Sequence, residues 1–258
     1  MLINRGARNV GNDCDAERMN DLDSSAPLSR TAASRSVEAI GWRYLLATLC
    51  TSVAVTSFDQ AIRIAAEVAA ACGDDSNRHL RIDLRSDRVE LSLQTREVAA
   101  VTGRDVELAH SISSAVARLD AVTAGVTSAE LGRPVQMLEM AIDALDIPAI
   151  RPFWRAVMAY ADEPGSHGTE DAIVDPTGQL PAIWFQQMDA PRLQRNRVHF
   201  DITVSHDEAE ARVRAALDAG GVLVDDSYAR SFWVLADVEG NEVCVCTWTD
   251  RDDRGSDD

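Results

Sequence analysis

The sequence contains no lysine: all 25 of its basic residues are arginines. Schiff-base chemistry, pyridoxal-phosphate anchoring and the phosphate-loop lysine each need a primary amine on a side chain, so these reaction classes are excluded at the outset. Cysteine is scarce and odd in number, with Cys14, Cys50, Cys72, Cys244 and Cys246 scattered along the chain. No basic segment followed by an apolar run marks a secretion signal. Free thiols in a reducing cytoplasm are therefore expected. Cys244 and Cys246 are spaced to share one face of a strand, where a bridge between them would be strained. No apolar stretch approaches the roughly 20 residues that cross a bilayer.

Acidic residues outnumber basic ones, and 258 residues carry a net charge of −17. Such a surface repels phosphate backbones and anionic lipid heads, so neither nucleic acid nor membrane is expected as a partner. The length suits two domains, each able to bury its own core.

Residues 1–26 are polar and aperiodic and read as a disordered leader. A helix is expected from Ser29, with Ala33, Val37 and Ile40 on one face and Gly41 as its stop. The segment 42–55 is apolar and rich in β-formers, enough for two short strands. Ser57 and Gln60 form a capping box ahead of a helix that Gly73 closes. Ile82 and Leu84, then Val89, Leu91 and Leu93, alternate with polar residues about a Ser86-Asp87 turn, as a hairpin covered on one side should. Thr102 caps a last helix whose stripe is Val106, Ala109, Ile112, Val116 and Leu119. The order αββαββα fills residues 27–120, and a small-residue linker is expected at 121–133.

Beyond residue 134 a strand, helix and strands succession occurs twice. The first copy runs through "VQMLEMAID", "PAIRPFWRAVMAY", a Gly/Asp/Pro-rich loop and "PAIWFQQM". The second runs through "RVHFDITVS", "DEAEARVRAALDAGG", "VLVDDS", "SFWVLAD" and "NEVCVCTW". Successive modules of similar length are the signature of an internal duplication. Residues 250–258 form a charged tail.

"LPAIWFQQM", "NRVHFDITV" and "ADVEGNEVCV", arriving in that order, resemble the glyoxalase-like branch of the vicinal-oxygen-chelate superfamily. The resemblance covers about residues 134–249 and implies a paired βαβββ half-barrel around a small-molecule pocket. Glu139, Trp184, His199, Asp201, Glu242 and Cys244 are the ligand-binding candidates it points to. In metal-dependent members the first and last strands of each module carry ligands. Here His199 and Cys244 match such positions, whereas Met137, a thioether, stands where an imidazole is expected. No cofactor is therefore expected; a divalent ion held by Glu139, His199 and Glu242 is the alternative. Structural roles for His199 and Asp201, hydrogen-bonded in the core or pocket wall, compete with both.

"LSRTAASRSVEAIGW", "SDRVELSLQT" and "TGRDVELAHSIS" resemble pterin-4a-carbinolamine dehydratases, lyases that remove water from a 4a-hydroxytetrahydropterin with an acid and a base. The family's His-His-Pro run reads Arg78-His79-Leu80 here, its later histidine falls on Arg96, and its aspartate is Asp105. His79 and Asp105 are thus the catalytic candidates, with Arg78 and Arg96 as ligand-binding residues. Asp105 also has a purely structural account, as the third residue of the helix that Thr102 caps. His79, at a strand entrance, reads equally as an exposed polar residue.

The fold expected is α+β: an N-terminal αββαββα sheet with helices on one face, then a C-terminal paired βαβββ half-barrel. Three functional readings follow. The first is a metal-independent small-molecule binder of the glyoxalase-like type with a degenerate dehydratase module. The second is a working dehydratase using His79 and Asp105. The third is a homodimeric scaffold or regulator without catalysis, since both families tend to self-associate.

Overall fold

The computed structural model describes residues 26–125, 135–166, 168–191 and 198–250. Nearly all of the expected leader with Cys14, most of the linker and the tail beyond Asp250 lie outside the described residues. Contacts divide the chain into two compact units, Met1–Gln136 and Met137–Asp258.

In the first unit, Ser29 opens α1 (Arg30–Val37) by accepting the Ala32 N–H on its hydroxyl at 3.2 Å. Strands β1 (Arg43–Leu45) and β2 (Thr48–Ala54) follow, then α2 (Phe58–Cys72), the one-turn α3 (Ser76–His79), β3 (Leu80–Leu84), β4 (Arg88–Leu93) and α4 (Gly103–Ala117). The sheet is antiparallel in the order β1-β2-β4-β3. Leu49, Val53, Val89, Leu91 and Leu93 point to the helices and pack with Ile64, Val68, Leu108 and Ile112. Burial of this apolar set is the main favourable term in the unit's stability.

The sequence places residues 121–133 in a linker, but Thr123–Ala124 form a further strand, β5, paired with β2 at Val53 and Ser52. Two residues cannot show a two-residue period, so periodicity misses them. Gly41 explains the docking. Its φ is +80°, and a Cβ there would lie 1.9 Å from the Thr123 carbonyl oxygen. Thr123 fastens the contact by donating its hydroxyl to the Ile40 carbonyl at 2.7 Å.

The second unit repeats one module. The first copy is β6 (Glu139–Ala144), α5 (Ile147–Met158), β7 (Ala161–Asp162), β8 (Ile173–Val174) and β9 (Ala182–Gln187). The second is β10 (Phe200–Thr203), α6 (Ala209–Asp218), β11 (Val222–Asp225), β12 (Phe232–Ala236) and β13 (Glu242–Cys246). The sheets are ordered β6-β9-β8-β7 and β10-β13-β12-β11, so in each copy the first strand lies parallel to the last. β7 and β8 are two residues each, and the sequence reads them as loop. Both sheets are open, as the expected half-barrel requires. Met140, Ile142, Phe185, Phe200, Ile202, Val243 and Val245 face a core shared with Phe153, Trp154 and Val213 of the two helices.

Candidate functional site

His79 ends α3 and enters β3, and the fold turns it inward: its side chain is 6 % exposed, and that of Asp105 is 0 % exposed. The expectation of an exposed polar residue is thereby corrected. The cause is the last helix, whose first turn lays Asp105 beside the strand entrance. His79 Nδ1 lies 2.8 Å from Asp105 Oδ1. Asp105 Oδ2 accepts four further hydrogen bonds: from the N–H and hydroxyl of Thr95 at 3.2 and 2.7 Å, and of Thr102 at 2.8 and 3.1 Å. With Oδ2 ringed by donors Asp105 acts as an acceptor, an arrangement that suits an Nδ1–H of the ring directed at Oδ1. Nε2 has no hydrogen-bond partner among the described residues. It is the atom left for a ligand.

The structural account foreseen for Asp105 holds, and a contact with His79 is added to it. The carboxylate completes the capping box of α4 with Thr102, and it orients the imidazole. An aspartate bonded to Nδ1 fixes the tautomer and stabilises the imidazolium when Nε2 gains a proton. Thr95, which the sequence reading passed over, bridges the pair: its hydroxyl lies 2.9 Å from that of Thr102 and 3.3 Å from His79 Nδ1.

The two arginines at the other histidine positions part company. Arg96 donates to the Leu80 carbonyl at 2.7 Å and the Asn77 carbonyl at 3.4 Å, so its guanidinium is committed to the end of α3. Arg78 is 60 % exposed and stands 3.7 Å from Asp75 and 3.6 Å from Glu97, beyond hydrogen-bond reach of both. Asp75 is bound instead by Arg104, whose hydrogen bond is the main reason its carboxyl sits below the usual range.

In the second unit, strand parity puts all six expected ligand residues opposite the core. Glu139, Trp184, Asp201, Glu242 and Cys244 alternate with the buried Ile183 and Val243 and the half-buried Met140 and Ile202, and His199 is in phase with Asp201. His199 and Asp201 are 54 % and 57 % exposed, which corrects their reading as core residues. His199 Nε2 approaches Asp201 Oδ1 at 3.4 Å. Asp201 is in register with Cys244 on the neighbouring β13, and one donor atom from each of the three falls within 4.8 Å of the others. Burial, with help from the hydrogen bond to Asp201, pushes the Cys244 thiol up to about 12.

The expected set Glu139, His199 and Glu242 is not brought together: among the described residues, Asp201 and Cys244 join His199 in their place. Glu139 instead neighbours Glu163, whose carboxyl is pushed up by burial first and by Glu139 second.

The turn inside "ADVEGNEVCV" has a counterpart in the first module that escaped the sequence reading. Asp175-Pro176-Thr177-Gly178-Gln179 and Asp237-Val238-Glu239-Gly240-Asn241 occupy the same place in the two modules, before the last strand. Asp175 accepts the N–H groups of Thr177, Gln179 and Leu180. Asp237 accepts those of Glu239 and Asn241, and also the Trp154 indole N–H at 2.9 Å. Gly178 and Gly240 sit at φ of +66° and +87°, where a side chain is strained. The Asp-x-x-Gly spacing, written twice, was the signal available. Glu239 reaches from the second copy to the first, accepting the Leu145 and Asp146 N–H groups at 2.7–3.0 Å ahead of α5.

An α+β chain of two units, one with a buried His–Asp pair under an antiparallel sheet and one built from a duplicated βαβββ module, is thus defined. Residues 26–115 match the family model for pterin 4 alpha carbinolamine dehydratase, and residues 139–246 match that for a glyoxalase-like domain. The chain joins one domain of each kind. Among solved structures, it is 18 % identical to a glyoxalase/bleomycin resistance protein/dioxygenase family enzyme from Burkholderia phytofirmans, covering 42 % of this chain and 95 % of that one at a TM-score of 0.35. It is 19 % identical to a transcriptional coactivator/pterin dehydratase from Brucella melitensis, covering 35 % and 98 % at 0.32. The hypothetical protein SA1046 from S. aureus is 13 % identical, with 46 % and 99 % covered at 0.35. No curated protein matches the chain. Among the described residues no helix is long and apolar enough to cross a membrane.

Proposed function

We propose that the first unit is a lyase site that removes water from a 4a-hydroxytetrahydropterin-type heterocycle, with His79 moving both protons. The observation that carries this reading is the 2.8 Å bond between His79 Nδ1 and the fully buried Asp105. Protonated on both nitrogens, the imidazolium gives its Nε2 proton to the leaving hydroxyl, and the C–O bond breaks to release water. The neutral Nε2 then takes the ring N–H proton, whose bonding electrons form the new C=N bond. The imidazolium is restored and no external reagent is consumed. Asp105 supports the charged ring in both half-steps. Guanidiniums at 78 and 96 do not exchange protons near neutrality, so a single imidazole carries the work usually divided among several groups.

Stopped-flow absorbance on a freshly generated 4a-hydroxytetrahydropterin tests the reading. The protein is expected to dehydrate it about a hundredfold faster than buffer, a modest acid–base contribution, and His79→Gln to return the rate to that of buffer. Equal rates with and without wild-type protein would overturn the lyase assignment.

For the second unit, the six residues on helix-free sheet faces support a small-molecule binding surface. A metabolite thermal-shift screen is expected to yield a stabilising ligand, with the shift lost in Trp184→Ala. A shift that survives that substitution places the ligand elsewhere.

A further inference from the structure

Position 96 carries a guanidinium where the dehydratase resemblance implies a histidine. Arg96 donates through Nη2 to the Leu80 carbonyl at 2.7 Å and through Nη1 to the Asn77 carbonyl at 3.4 Å. Those two carbonyls stand before and after His79 along the chain. The Gln94 N–H on β4 takes the His79 carbonyl at 3.0 Å. In an antiparallel ladder the next residue turns its carbonyl the other way, so Leu80 points its own off the open edge of β3, the last strand of the sheet. Asn77 lies in α3, a single turn closed by the Leu80 N–H to the Ser76 carbonyl. One turn of helix is too short to be stable by itself. Arg96 therefore ties a weak helix end to an open strand edge, and His79 sits at the junction.

The bond of 2.8 Å from Nδ1 to Asp105 fixes one atom of the imidazole. A ring held at one atom still pivots about it, and Nε2, across the ring, moves with the backbone that carries the side chain. That backbone needs its own restraint, which Gln94 and Arg96 supply. The two bonds of Arg96 come from two nitrogens of one rigid fork, a geometry that neither an ammonium nor an imidazole reproduces. Arg96 is exposed as a whole, so core packing is not what it contributes.

We infer that Arg96 is a positioning residue for His79: its guanidinium clamps the carbonyls on either side of the imidazole and so sets where Nε2 meets the substrate. This role replaces the ligand-binding one expected of Arg96, and it rests on the lyase reading of the first unit.

The full-length chain and its Arg96 variants are compared in steady-state dehydration of a 4a-hydroxytetrahydropterin and in native-state amide exchange. Arg96→Ala should lower kcat about tenfold, as misplacement of a reacting group does, with KM unchanged. Arg96→Lys, which can keep one of the two bonds, should fall between Arg96→Ala and wild type. Arg96→His restores the imidazole that the resemblance implies, yet it should be as slow as Arg96→Ala. In Arg96→Ala the Gln94 amide should exchange about tenfold faster while the amides of α2 keep their rates, a local opening. A kcat in Arg96→His at or above that of wild type would overturn the positioning role. So would an Arg96→Ala whose KM rises at constant kcat, or whose Gln94 exchange is unchanged. If the wild type does not dehydrate the pterin, the lyase reading fails, and Gln94 exchange alone decides whether Arg96 holds His79.

Discussion

The two units each pair a histidine with an aspartate, yet they use the pair in opposite ways. In the first, His79 and Asp105 are buried at the start of α4, and Asp105 Oδ2 alone accepts four hydrogen bonds. In the second, His199 and Asp201 lie open on a strand, with a looser 3.4 Å approach and a thiol alongside. Depth decides the chemistry. A buried, oriented imidazole has one free nitrogen and a fixed tautomer, which suits proton movement. An exposed cluster of mixed donors leaves its side chains open to solvent and able to rearrange.

The comparison breaks most visibly at Asp105. Asp105→Ala strands the Thr95 and Thr102 donors and the His79 Nδ1–H in a buried site, so the first unit should lose at least about 3 kcal/mol. Asp201→Ala in the exposed cluster should cost less than about 0.5 kcal/mol. Urea unfolding, with a probe for each unit because two units need not unfold together, measures both. Equal losses would show that the two pairs are not differently built.

Within the second unit the repeated turn gives a finer contrast. Asp237 is buried and holds Trp154 as well as its own turn, whereas Asp175 serves only its turn. Asp237→Ala should therefore destabilise by about 2–3 kcal/mol and Asp175→Ala by about 1 kcal/mol. Glu239→Ala, which removes the acceptor for two N–H groups ahead of α5, should cost about 1 kcal/mol in the same assay.

The smallest effect is in pH dependence. Asp75 has a folded pKa lowered chiefly by the Arg104 hydrogen bond, against an unfolded value of about 3.9. A depressed pKa means stability that is present above the unfolded value and lost as pH falls through the folded one. Asp75→Asn should lower the first unit's stability at pH 7, with the difference from the wild type shrinking away as pH falls below about 4. A parallel downward offset at every pH would mean that packing, not charge, dominates at Asp75.

Much of this was legible in the chain. Alternation at 82–84 and 89–93 gave the hairpin, Thr102 and Asp105 gave the cap, and the duplicated succession gave the paired modules. Strand parity was enough to set Glu139, Trp184, Asp201, Glu242 and Cys244 on one kind of face. What was not legible depended on distant segments. The burial of His79 comes from α4, which returns more than 20 residues later, and no local pattern announces it. The neighbours of His199 were not legible because parity fixes a face but not the register, which sets Cys244 rather than Glu242 beside Asp201 on β13. β5, β7 and β8 were missed because strands of two residues carry no period.

The account turns on one hydrogen atom. In the lyase reading, neutral His79 carries its proton on Nδ1, directed at Asp105, and Nε2 is the nitrogen that meets the substrate. Nitrogen-15 NMR of the imidazoles, assigned by comparison with His79→Gln, observes this directly. The predicted result is an Nδ1–H tautomer at high pH whose Nε2 resonance moves on acidification, with the preference lost in Asp105→Asn. A proton found on Nε2, or a His79 ring whose tautomer ignores the loss of the Asp105 charge, would contradict the account.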